Sequence, residues 1–302
     1  MNIPEISLPL GPAINDITTC ANEMSRFADA GLKQMVVNVA ALMKMYEDEA
    51  YRKEMVSLSN KLNITFRDAH APHGLLNSIG VPAPIEVITN SLKKAIEISG
   101  ILGIKTLTIH AGRTRLVGDF ALQLEEFLTT NLPAAKERII KSLDILLPIA
   151  EKNNVILAVE NLFLPSTTAN FITPIVEEYN TPSLGLCYDS GHALIVEKQE
   201  GKTSDDIAKW IRCGWDDDIV TFQDFQLERM KNFVVTTHFH DNDGKNDLHI
   251  IPGKGIANWK RITNIIKTCP RLVSLQAEPI DGLYNLSAKE LIDSFDVMNK
   301  EW

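Results

Sequence analysis

The chain has 302 residues, 45% of them hydrophobic, and a formal net charge of -9 at pH 7. This composition supports a large buried core, and the acidic balance disfavours a protein that clamps polyanions over a broad surface. The N-terminus has no basic region followed by an apolar run, and no stretch approaches the roughly 18 to 20 apolar residues of a membrane span, so we expect a soluble cytoplasmic protein. The four cysteines form no CxxC pair, which favours reduced thiols at Cys20, Cys187, Cys213 and Cys269.

Short β-rich runs alternate with stretches of helical periodicity. In chain order, the predicted strands are Glu5–Pro9, Gln34–Val39, Ile64–Ala69, Thr106–His110, Val155–Val159, Leu184–Tyr188, Phe233–Phe239 and Leu272–Ala277. Between them apolar residues recur at steps of three and four, as at Ile85, Ile88, Leu92 and Ile96. Eight strand–helix repeats predict parallel strands with crossover helices, closed as one α/β domain, a (β/α)8 TIM barrel over residues 1–302. The alternative is an open doubly wound sheet, which the absence of a GxGxxG motif after the first strand weakens.

The histidines follow the predicted strands rather than the helices. All seven lie at or just after the C-terminal end of a strand: His70, His73, His110, His192, His238, His240 and His249. In a parallel barrel these ends converge on one face, where catalytic residues sit. We therefore expect most of them to share one site, with His73, in a Pro-His-Gly turn, as a structural exception.

Three carboxylates end apolar runs in the same way. Glu160 ends VILAV, Asp189 ends LGLCY and Glu278 ends LVSLQA. Such carboxylates are costly to bury unpaired, and three on one rim would repel each other unless a divalent cation joined them. The sequence therefore predicts a metal site on Glu160, Asp189, His240 and Glu278. An oxygen-rich set suits Mn²⁺, Mg²⁺ or Co²⁺, whereas added imidazole favours Zn²⁺.

The choice between His238 and His240 rests on strand geometry. The two residues are two apart, so both side chains should point the same way from the seventh strand. Because His240 is nearer the rim, we assign it as the ligand and expect His238 one layer below, as a supporting or core residue. Asp189 taken alone also fits a helix N-cap before Ser-Gly-His. Only the joint pattern on four strands favours a metal site.

Seven motifs, in this order, resemble the xylose isomerase-like TIM-barrel superfamily. They are AHAPHG (69–74), TIHAG (108–112), AVEN (158–161), CYDSGHAL (187–194), HFHDNDG (238–244), DLHIIPGKG (247–255) and QAEP (276–279). The resemblance covers roughly residues 60–280. The superfamily contains sugar phosphate isomerases and epimerases, ketohexose 3-epimerases, inositol-catabolism enzymes and type IV apurinic/apyrimidinic endonucleases, so the resemblance implies a fold without fixing a substrate.

In the isomerase and epimerase branch, the resemblance implies proton transfer on a small carbohydrate. A divalent metal would act as Lewis acid and stabilise an enediolate. Glu160 and Glu278 would remove and return the proton. His192 matches a family position that binds substrate hydroxyls. The other candidate substrate-binding residues are His70, His110, His249 and Arg113.

Two departures from the ketohexose 3-epimerase pattern argue against a simple ketohexose. His249 stands where those enzymes tend to carry an Arg, and Ser166 stands where they tend to place a second Glu.

The endonuclease branch implies phosphodiester hydrolysis at abasic sites by a trinuclear zinc cluster. Transferred by motif, its nine ligands are His70, His110, Glu160, Asp189, His192, His240, Asp247, His249 and Glu278, and all nine have the right residue type. Against this branch, the sequence has no basic stripe, and phosphate contacts dominate nucleic-acid affinity. Arg113 and Arg115 after the fourth strand are the exception, and they fit a sugar phosphate equally well.

We therefore predict a cytoplasmic, metal-dependent isomerase or epimerase of a sugar, sugar phosphate or sugar acid. The endonuclease is the alternative, and a barrel that binds a small ligand without turnover is a third hypothesis. The expected partner is a small carbohydrate rather than nucleic acid or a membrane. Barrels of this type often form dimers or tetramers, so a homo-oligomer is one expected state.

Overall fold

Eight parallel strands form a closed barrel in chain order. The computed structural model describes residues 5–11, 14–73, 77–112 and 131–298. Each strand pairs with the next, and the first also pairs with the last, so the sheet has no edge. The strands are β1 Ile6–Pro9, β2 Gln34–Val37, β3 Thr65–His70, β4 Thr106–His110, β5 Ile156–Glu160, β6 Leu184–Asp189, β7 Val234–Phe239 and β8 Leu275–Ala277. The predicted barrel is confirmed, and the open sheet is not formed.

Helices connect successive strands and cover the outside of the barrel. The described α-helices are α1 Ile17–Asp29, α2 Val39–Glu47, α3 Glu49–Leu62, α4 Ile85–Leu102, α5 Leu132–Asn153, α6 Ala169–Tyr179, α7 Ser190–Val196, α8 Lys209–Arg212, α9 Gln226–Met230, α10 Trp259–Ile266, α11 Ile280–Asn285 and α12 Ala288–Ser294. Short 3₁₀ turns lie at Pro165–Thr167, Ser204–Asp206, Asp216–Asp218 and Phe295–Met298. None of these helices is long and apolar enough to cross a membrane.

Local sequence explains where several of these elements begin and end. Asn63, Asn154 and Asn180 end α3, α5 and α6 in the left-handed conformation, which reverses the chain toward the following strand. The Asn38 side chain accepts from the Ala41 N–H and caps α2, so Val39, which we expected in a strand, is the first residue of that helix.

The core has an apolar shell around a partly polar barrel interior. The predicted apolar face of α4 is buried through Ile88, Leu92 and Ile96. Inside the barrel, hydroxyl and carboxyl side chains from several strands are fully buried: Ser7, Asp68, Thr106, Thr236 and Ser274. The functional side chains lie above this polar layer, at the C-terminal ends of the strands.

Candidate metal centre

The strand ends bring carboxylates and histidines to one face of the barrel. His70, His110, Glu160 and Asp189 are the last residues of β3, β4, β5 and β6, and Glu278 directly follows β8. Parallel pairing sets His110 beside Glu160 on β4 and β5, and Asp189 beside His238 on β6 and β7. The register of the barrel therefore assembles these side chains without any long loop.

Glu160 is the centre of the arrangement. Its Oε2 lies 2.9 Å from His110 Nε2 and 3.5 Å from His70 Nε2, and its Oε1 lies 3.1 Å from His238 Nδ1 and 3.3 Å from His192 Nδ1. The residue is only 1% exposed. Burial alone would raise the pKa of Glu160, but His238 and His110 lower it well below its usual value. Glu160 is therefore an ionised carboxylate shared by several imidazoles.

A first candidate metal group, which we call the carboxylate group, consists of Glu160, Asp189, His238 and Glu278. Their ligand atoms all lie within 4.8 Å of one another. His238 Nδ1 is 3.4 Å from Glu278 Oε2 and 3.9 Å from Asp189 Oδ2. This buried nitrogen has no hydrogen bond of acceptable geometry to any residue that the structure describes. A nitrogen facing three carboxylates is the position that a divalent cation would complete.

Both histidines of the seventh strand end contact these carboxylates, so the predicted choice of His240 as the ligand stays a prediction: His238 Nδ1 faces three of them, and His240 faces Asp189. β7 ends at Phe239, so the alternation along the strand no longer orients His240. The Ser190 hydroxyl donates to the His240 carbonyl at 2.6 Å and accepts from its N–H at 3.1 Å. His240 Nε2 lies 3.0 and 3.1 Å from the two Asp189 oxygens. His240 therefore contacts the carboxylate group through Asp189 alone, whereas His238 contacts three of its carboxylates.

A second candidate metal group, which we call the loop group, consists of His192, His240, Asp247 and His249. His192 Nε2 lies 3.4 Å from Asp247 Oδ2, and His249 Nε2 lies 3.2 Å from Asp247 Oδ1. The His249 ring stacks on His240 with centroids 3.9 Å apart. Asp247 and His249 come from the loop that follows β7, whereas His192 lies on the first turn of α7.

The charges in the loop group shift its pKa values in opposite directions. Burial disfavours the charged form of His249, but the Asp247 hydrogen bond and Glu278 raise its pKa to about 9. Burial has the same effect on His192, and Asp189 and Asp247 nevertheless raise its pKa well above the usual value. Burial would raise the pKa of Asp247, yet His192 and His249 hold it far below the usual range. The loop group therefore combines positively charged histidines with a negatively charged aspartate, and a metal cation can replace the protons of the histidines.

Three histidines are anchored by backbone carbonyls. His70 Nδ1 lies 2.8 Å from the Ala71 oxygen, His192 Nδ1 lies 3.2 Å from the Asn161 oxygen, and His249 Nδ1 lies 2.9 Å from the Glu278 oxygen. A carbonyl only accepts, so each Nδ1 carries a proton, and Nε2 is the nitrogen that a metal would bind once its own proton is lost. In all three residues Nε2 faces a carboxylate oxygen, at distances of 3.5, 3.4 and 3.2 Å. In His192 and His249, whose pKa values are raised, a proton on Nε2 supplies the positive charge beside the carboxylate. A bound metal would take the place of that proton, and this anchoring of Nδ1 is typical of metal-bound histidine.

One buried carboxylate, Asp241, holds the loop that carries Asp247 and His249. Its Oδ1 accepts from the N–H groups of Asn242 and Ala257, both at 3.0 Å. Its Oδ2 accepts from Gly253 N–H at 3.0 Å and from the Trp259 indole at 2.9 Å. Our sequence reasoning gave Asp241 no role, because its partners lie up to 18 residues away along the chain.

Asp189 and Ser166 have structural contacts, whereas Arg113 is not described. Asp189 both faces His238 and caps α7 by accepting from the His192 N–H at 2.6 Å, so the predicted N-cap is present and its role as a metal ligand stays a prediction. The predicted substrate contact Arg113 lies outside the described residues. Ser166 donates to the Gly112 carbonyl at 2.7 Å and is buried, which gives it a structural role here.

His73 lies next to the site, although we expected only a structural turn residue. Its ring centroid is 4.9 Å from that of His70 and 5.0 Å from that of His110. Burial and these two neighbours lower the pKa of His73 to about 4, so it is neutral at physiological pH.

A cavity of about 140 Å³ adjoins the carboxylate group. Its polar wall includes His70, His73, His238, Gln276 and Glu278, and its apolar wall includes Pro9, Leu10, Val36, Ala277 and Ile280. A cavity with one apolar and one polar wall suits a small organic ligand.

Relatives of similar sequence include an uncharacterized protein and a probable endonuclease 4. The uncharacterized protein y4fM of Sinorhizobium fredii is 28% identical over 199 residues, which is 65% of this chain and 54% of that protein, so this chain spans about half the length of that relative. The probable endonuclease 4 of Mycoplasma mobile is 24% identical over 271 residues, covering 85% of this chain and 81% of that protein.

Solved structures share the whole fold at low sequence identity. A D-tagatose 3-epimerase-like protein superposes with a TM-score of 0.67 at 16% identity, covering 97% of this chain and 98% of that chain. The IOLI protein with a binding zinc atom superposes with a TM-score of 0.65 at 17% identity, covering 98% of this chain and 99% of that chain. At such identities the likeness establishes the fold alone.

Family assignment follows from the sequence together with the barrel. The family model described as xylose isomerase-like TIM barrel matches residues 25–271. This span contains every described strand except β1 and β8, and the closed eight-stranded barrel is the fold that the family name denotes. The chain belongs to the xylose isomerase-like TIM-barrel family.

Proposed function

We propose that the protein is a divalent-metal-dependent isomerase or epimerase that acts on a small carbohydrate. The observation that carries this proposal is the position of Glu160 and Glu278, two carboxylates at the ends of β5 and β8 that face one nitrogen of His238 beside a small cavity. Such a pair can take a proton from a carbon next to a carbonyl and return one to it. The cavity suits a sugar-sized ligand better than a polymer.

The residues fit a divalent cation. The support is the unpartnered Nδ1 of His238 and the Nε2 atoms of His70, His192 and His249, all of which face carboxylates. A cation held by the carboxylate group would polarise a substrate carbonyl as a Lewis acid. Mixed oxygen and imidazole ligands suit Zn²⁺ or Mn²⁺, with Mg²⁺ or Co²⁺ as further candidates.

The two glutamates differ in environment, and this difference suggests distinct roles. Glu160 is buried and ionised, so we assign it as the base; the neighbouring histidines that lower its pKa also weaken it as a base until a metal or substrate displaces their protons. The Glu278 side chain is 26% exposed, so it can exchange protons with solvent after it has acted. His192, His70, His110 and His249 surround the same space and would orient substrate hydroxyls where they are not holding a metal.

The test is exchange of a carbon-bound hydrogen. Protein loaded with Mn²⁺ or Zn²⁺ is incubated in D₂O with a panel of sugars, sugar acids and sugar phosphates, and deuterium incorporation is followed by NMR. We expect exchange with wild type and a loss of about 10²- to 10⁴-fold in Glu160→Gln and Glu278→Gln. Glu137→Gln, on the exposed face of α5, is the matched control that should retain wild-type exchange. Absence of exchange on the whole panel would refute the proposal.

A second candidate, phosphodiester hydrolysis at abasic sites, is favoured by a specific observation. The candidate ligands form three adjoining groups: Glu160 with His70 and His238, the carboxylate group, and the loop group. The first two share Glu160 and His238, and His110 Nε2 lies 2.9 Å from Glu160 Oε2. A cluster of three zinc ions would occupy all three. The formal charge of -9 argues against a polyanionic substrate.

Metal content and DNA cleavage discriminate the two candidates. Three tightly held zinc ions per chain, together with cleavage of an abasic-site duplex, would favour the hydrolase. One exchangeable metal with C–H exchange and no cleavage would favour the isomerase or epimerase.

A further inference from the structure

A network of hydroxyl groups inside the barrel begins at Asp68. This carboxyl group is fully buried. Its Oδ1 accepts from the hydroxyls of Thr106 and Ser274, the latter at 2.6 Å, and its Oδ2 accepts from the Ser7 hydroxyl at 3.0 Å. A hydroxyl has a single proton, so Thr106 and Ser274 can only accept from any other neighbour.

The donor and acceptor roles in this network are fixed as far as Gln276, through Thr236. The hydroxyls of Thr236 and Ser274 lie 2.9 Å apart, and because the Ser274 proton is used on Asp68, Thr236 must be the donor. Thr106 and Thr236 therefore both present only lone pairs to Gln276. The Gln276 amide nitrogen lies 3.4 Å from the Thr106 hydroxyl and 3.0 Å from the Thr236 hydroxyl. The group that faces two acceptors must be the NH₂, since a carbonyl oxygen there would have no donor.

The orientation does not depend on the charge of Asp68. Burial raises the pKa of Asp68, although the Ser274 and Thr106 hydroxyls oppose the shift. A proton on Oδ2 would point to Ser7, whose own hydroxyl lies 3.5 Å from the Gln34 amide oxygen and can donate there. Oδ1 would still accept from Thr106 and Ser274, so the bonds that orient Gln276 would keep their direction.

The carbonyl oxygen of Gln276 is consequently turned away from the network. Gln276 is 1% exposed, and its Oε1 has no hydrogen-bond partner among the residues that the structure describes. Gln276 pairs with His238 in the barrel and lines the cavity beside His238 and Glu278. A buried acceptor without a partner favours a ligand that supplies a donor.

We propose that Gln276 Oε1 accepts a hydrogen bond from a hydroxyl group of the ligand in this cavity, and that Asp68 is the positioning residue that turns the amide toward it. This inference rests on the proposed function for the class of ligand and adds a specificity-determining contact to it. At this position the cavity should select a ligand whose carbon bears an uncharged hydroxyl group. A deoxy carbon would leave Oε1 unpaired, and a carboxylate or phosphate oxygen at that position would repel it.

The first test measures the orientation directly. Neutron diffraction from crystals exchanged into D₂O shows the amide deuterons of Gln276. We expect both deuterons on the side of Thr106 and Thr236, and an ordered water or ligand oxygen beside Oε1. Deuterons that point into the cavity, or a protein donor bonded to Oε1, would overturn the proposal.

The second test measures recognition without turnover. Xylitol has hydroxyl groups but no carbonyl, so it can bind to Mn²⁺-loaded protein without reacting, and calorimetry gives its affinity. We expect Gln276→Met to weaken xylitol binding about tenfold. Gln226→Met, which removes a buried glutamine outside the cavity, should leave the affinity unchanged. Unchanged affinity in Gln276→Met, or no binding of xylitol to wild type, would overturn the recognition role.

Two variants of Asp68 separate positioning from simple support of the fold. Asp68→Asn keeps one carboxamide oxygen for Thr106 and Ser274, so it should retain xylitol affinity. Asp68→Ala removes the acceptor of the Thr106 and Ser274 hydroxyl protons, so the orientation of the Gln276 amide is no longer fixed. This variant should lose about as much xylitol affinity as Gln276→Met. Equal affinities in the two Asp68 variants would contradict the positioning role. Failure of C–H exchange alone would remove the proposed isomerase and leave these measurements of Gln276 intact.

Discussion

The carboxylate group and the loop group use the same kinds of side chain, but different parts of the fold hold them. Glu160, Asp189 and His238 lie on hydrogen-bonded strands in a fixed register. Asp247 and His249 lie on a loop, and His249 has a left-handed backbone with φ of 48°. The barrel alone therefore positions the first group, whereas the second depends on the contacts of Asp241.

This difference indicates that the two groups should fail separately. Changes to a strand residue should affect the carboxylate group and the shared Glu160. Changes to Asp241, which supports the loop, should weaken metal binding only in the loop group. Variants of a strand residue, of Asp241 and of Lys202 can test whether the two groups are held independently.

The largest effect is expected from the pair His238 and His240. His238→Asn removes the nitrogen that faces three carboxylates, so metal bound by the carboxylate group and the rate of C–H exchange should each fall about 100-fold. His240→Asn removes a hydrogen-bond partner of Asp189 and one member of the loop group, so metal bound by the carboxylate group should fall only about tenfold. Metal is measured by mass spectrometry after dialysis against a weak chelator. A larger loss in His240→Asn would show that His240 is the ligand, as the sequence predicts.

The same pair shows how far sequence alone can locate such a site. The eight strands, the convergence of their ends and the roles of Glu160, Asp189 and Glu278 as neighbours followed from the alternation of strands and helices. The contacts of the two histidines did not, because they depend on the pairing of Asp189 with His238 and on a register shift between Leu186 and Cys187. Alternation along one strand cannot show where the neighbouring strand ends.

Contacts distant in sequence account for the other residues that we missed. Asp241 acts through donors 12 to 18 residues away, and Asp68 reaches Ser274 across 206 residues. Asp241 lies in the motif HFHDNDG, but the motif does not show which donors it binds, and Asp68 belongs to none of the seven motifs. Their roles become visible only when each hydroxyl and amide proton is followed to its acceptor.

A smaller and more selective effect is expected from Asp241→Asn. The new NH₂ group cannot accept from Gly253 or Trp259, so the loop loses part of its clamp. We expect the loop group to bind metal about tenfold more weakly, while the carboxylate group keeps its metal. Two metal-binding steps in calorimetry, of which only one shifts, would show this selectivity.

The control for this variant lies in the same loop. Asp243 accepts from the N–H groups of Lys245 and Asn246 but does not contact Trp259 or Gly253. Asp243→Asn should leave both binding steps unchanged. Equal loss of both metals in Asp241→Asn would mean that the two groups are not held independently.

The smallest effect concerns Lys202, which supports the helix between the two groups. Its ammonium donates to the carbonyls of Leu194 and Ile195 at 2.8 and 2.7 Å, at the end of α7. This helix begins after Asp189 and carries His192, so it joins the carboxylate group to the loop group. Burial lowers the pKa of Lys202 from 10.5 to about 8, although Glu197 and Asp206 oppose the shift.

The sign of the resulting pH dependence follows from this lowered pKa. Below pH 8 both folded and unfolded chains hold the proton, and the full cost of burying the charge is present. Between about pH 8 and 10.5 the unfolded chain binds more protons than the folded chain, so the contribution of Lys202 to the free energy of unfolding rises with pH. After allowance for solvent screening we expect a gain of about 1 to 2 kcal/mol over this window.

Urea unfolding of metal-free wild type and Lys202→Met at pH 7.5 and pH 10 measures this contribution, because groups common to both proteins cancel in the difference. Wild type should gain stability relative to Lys202→Met as the pH rises. A difference that is flat or falls with pH would show that Lys202 keeps its ordinary pKa, and α7 would then be anchored chiefly by Asp189 at its other end. In that case the carboxylate group would also position His192, and the loop group would depend on the loop only for Asp247 and His249.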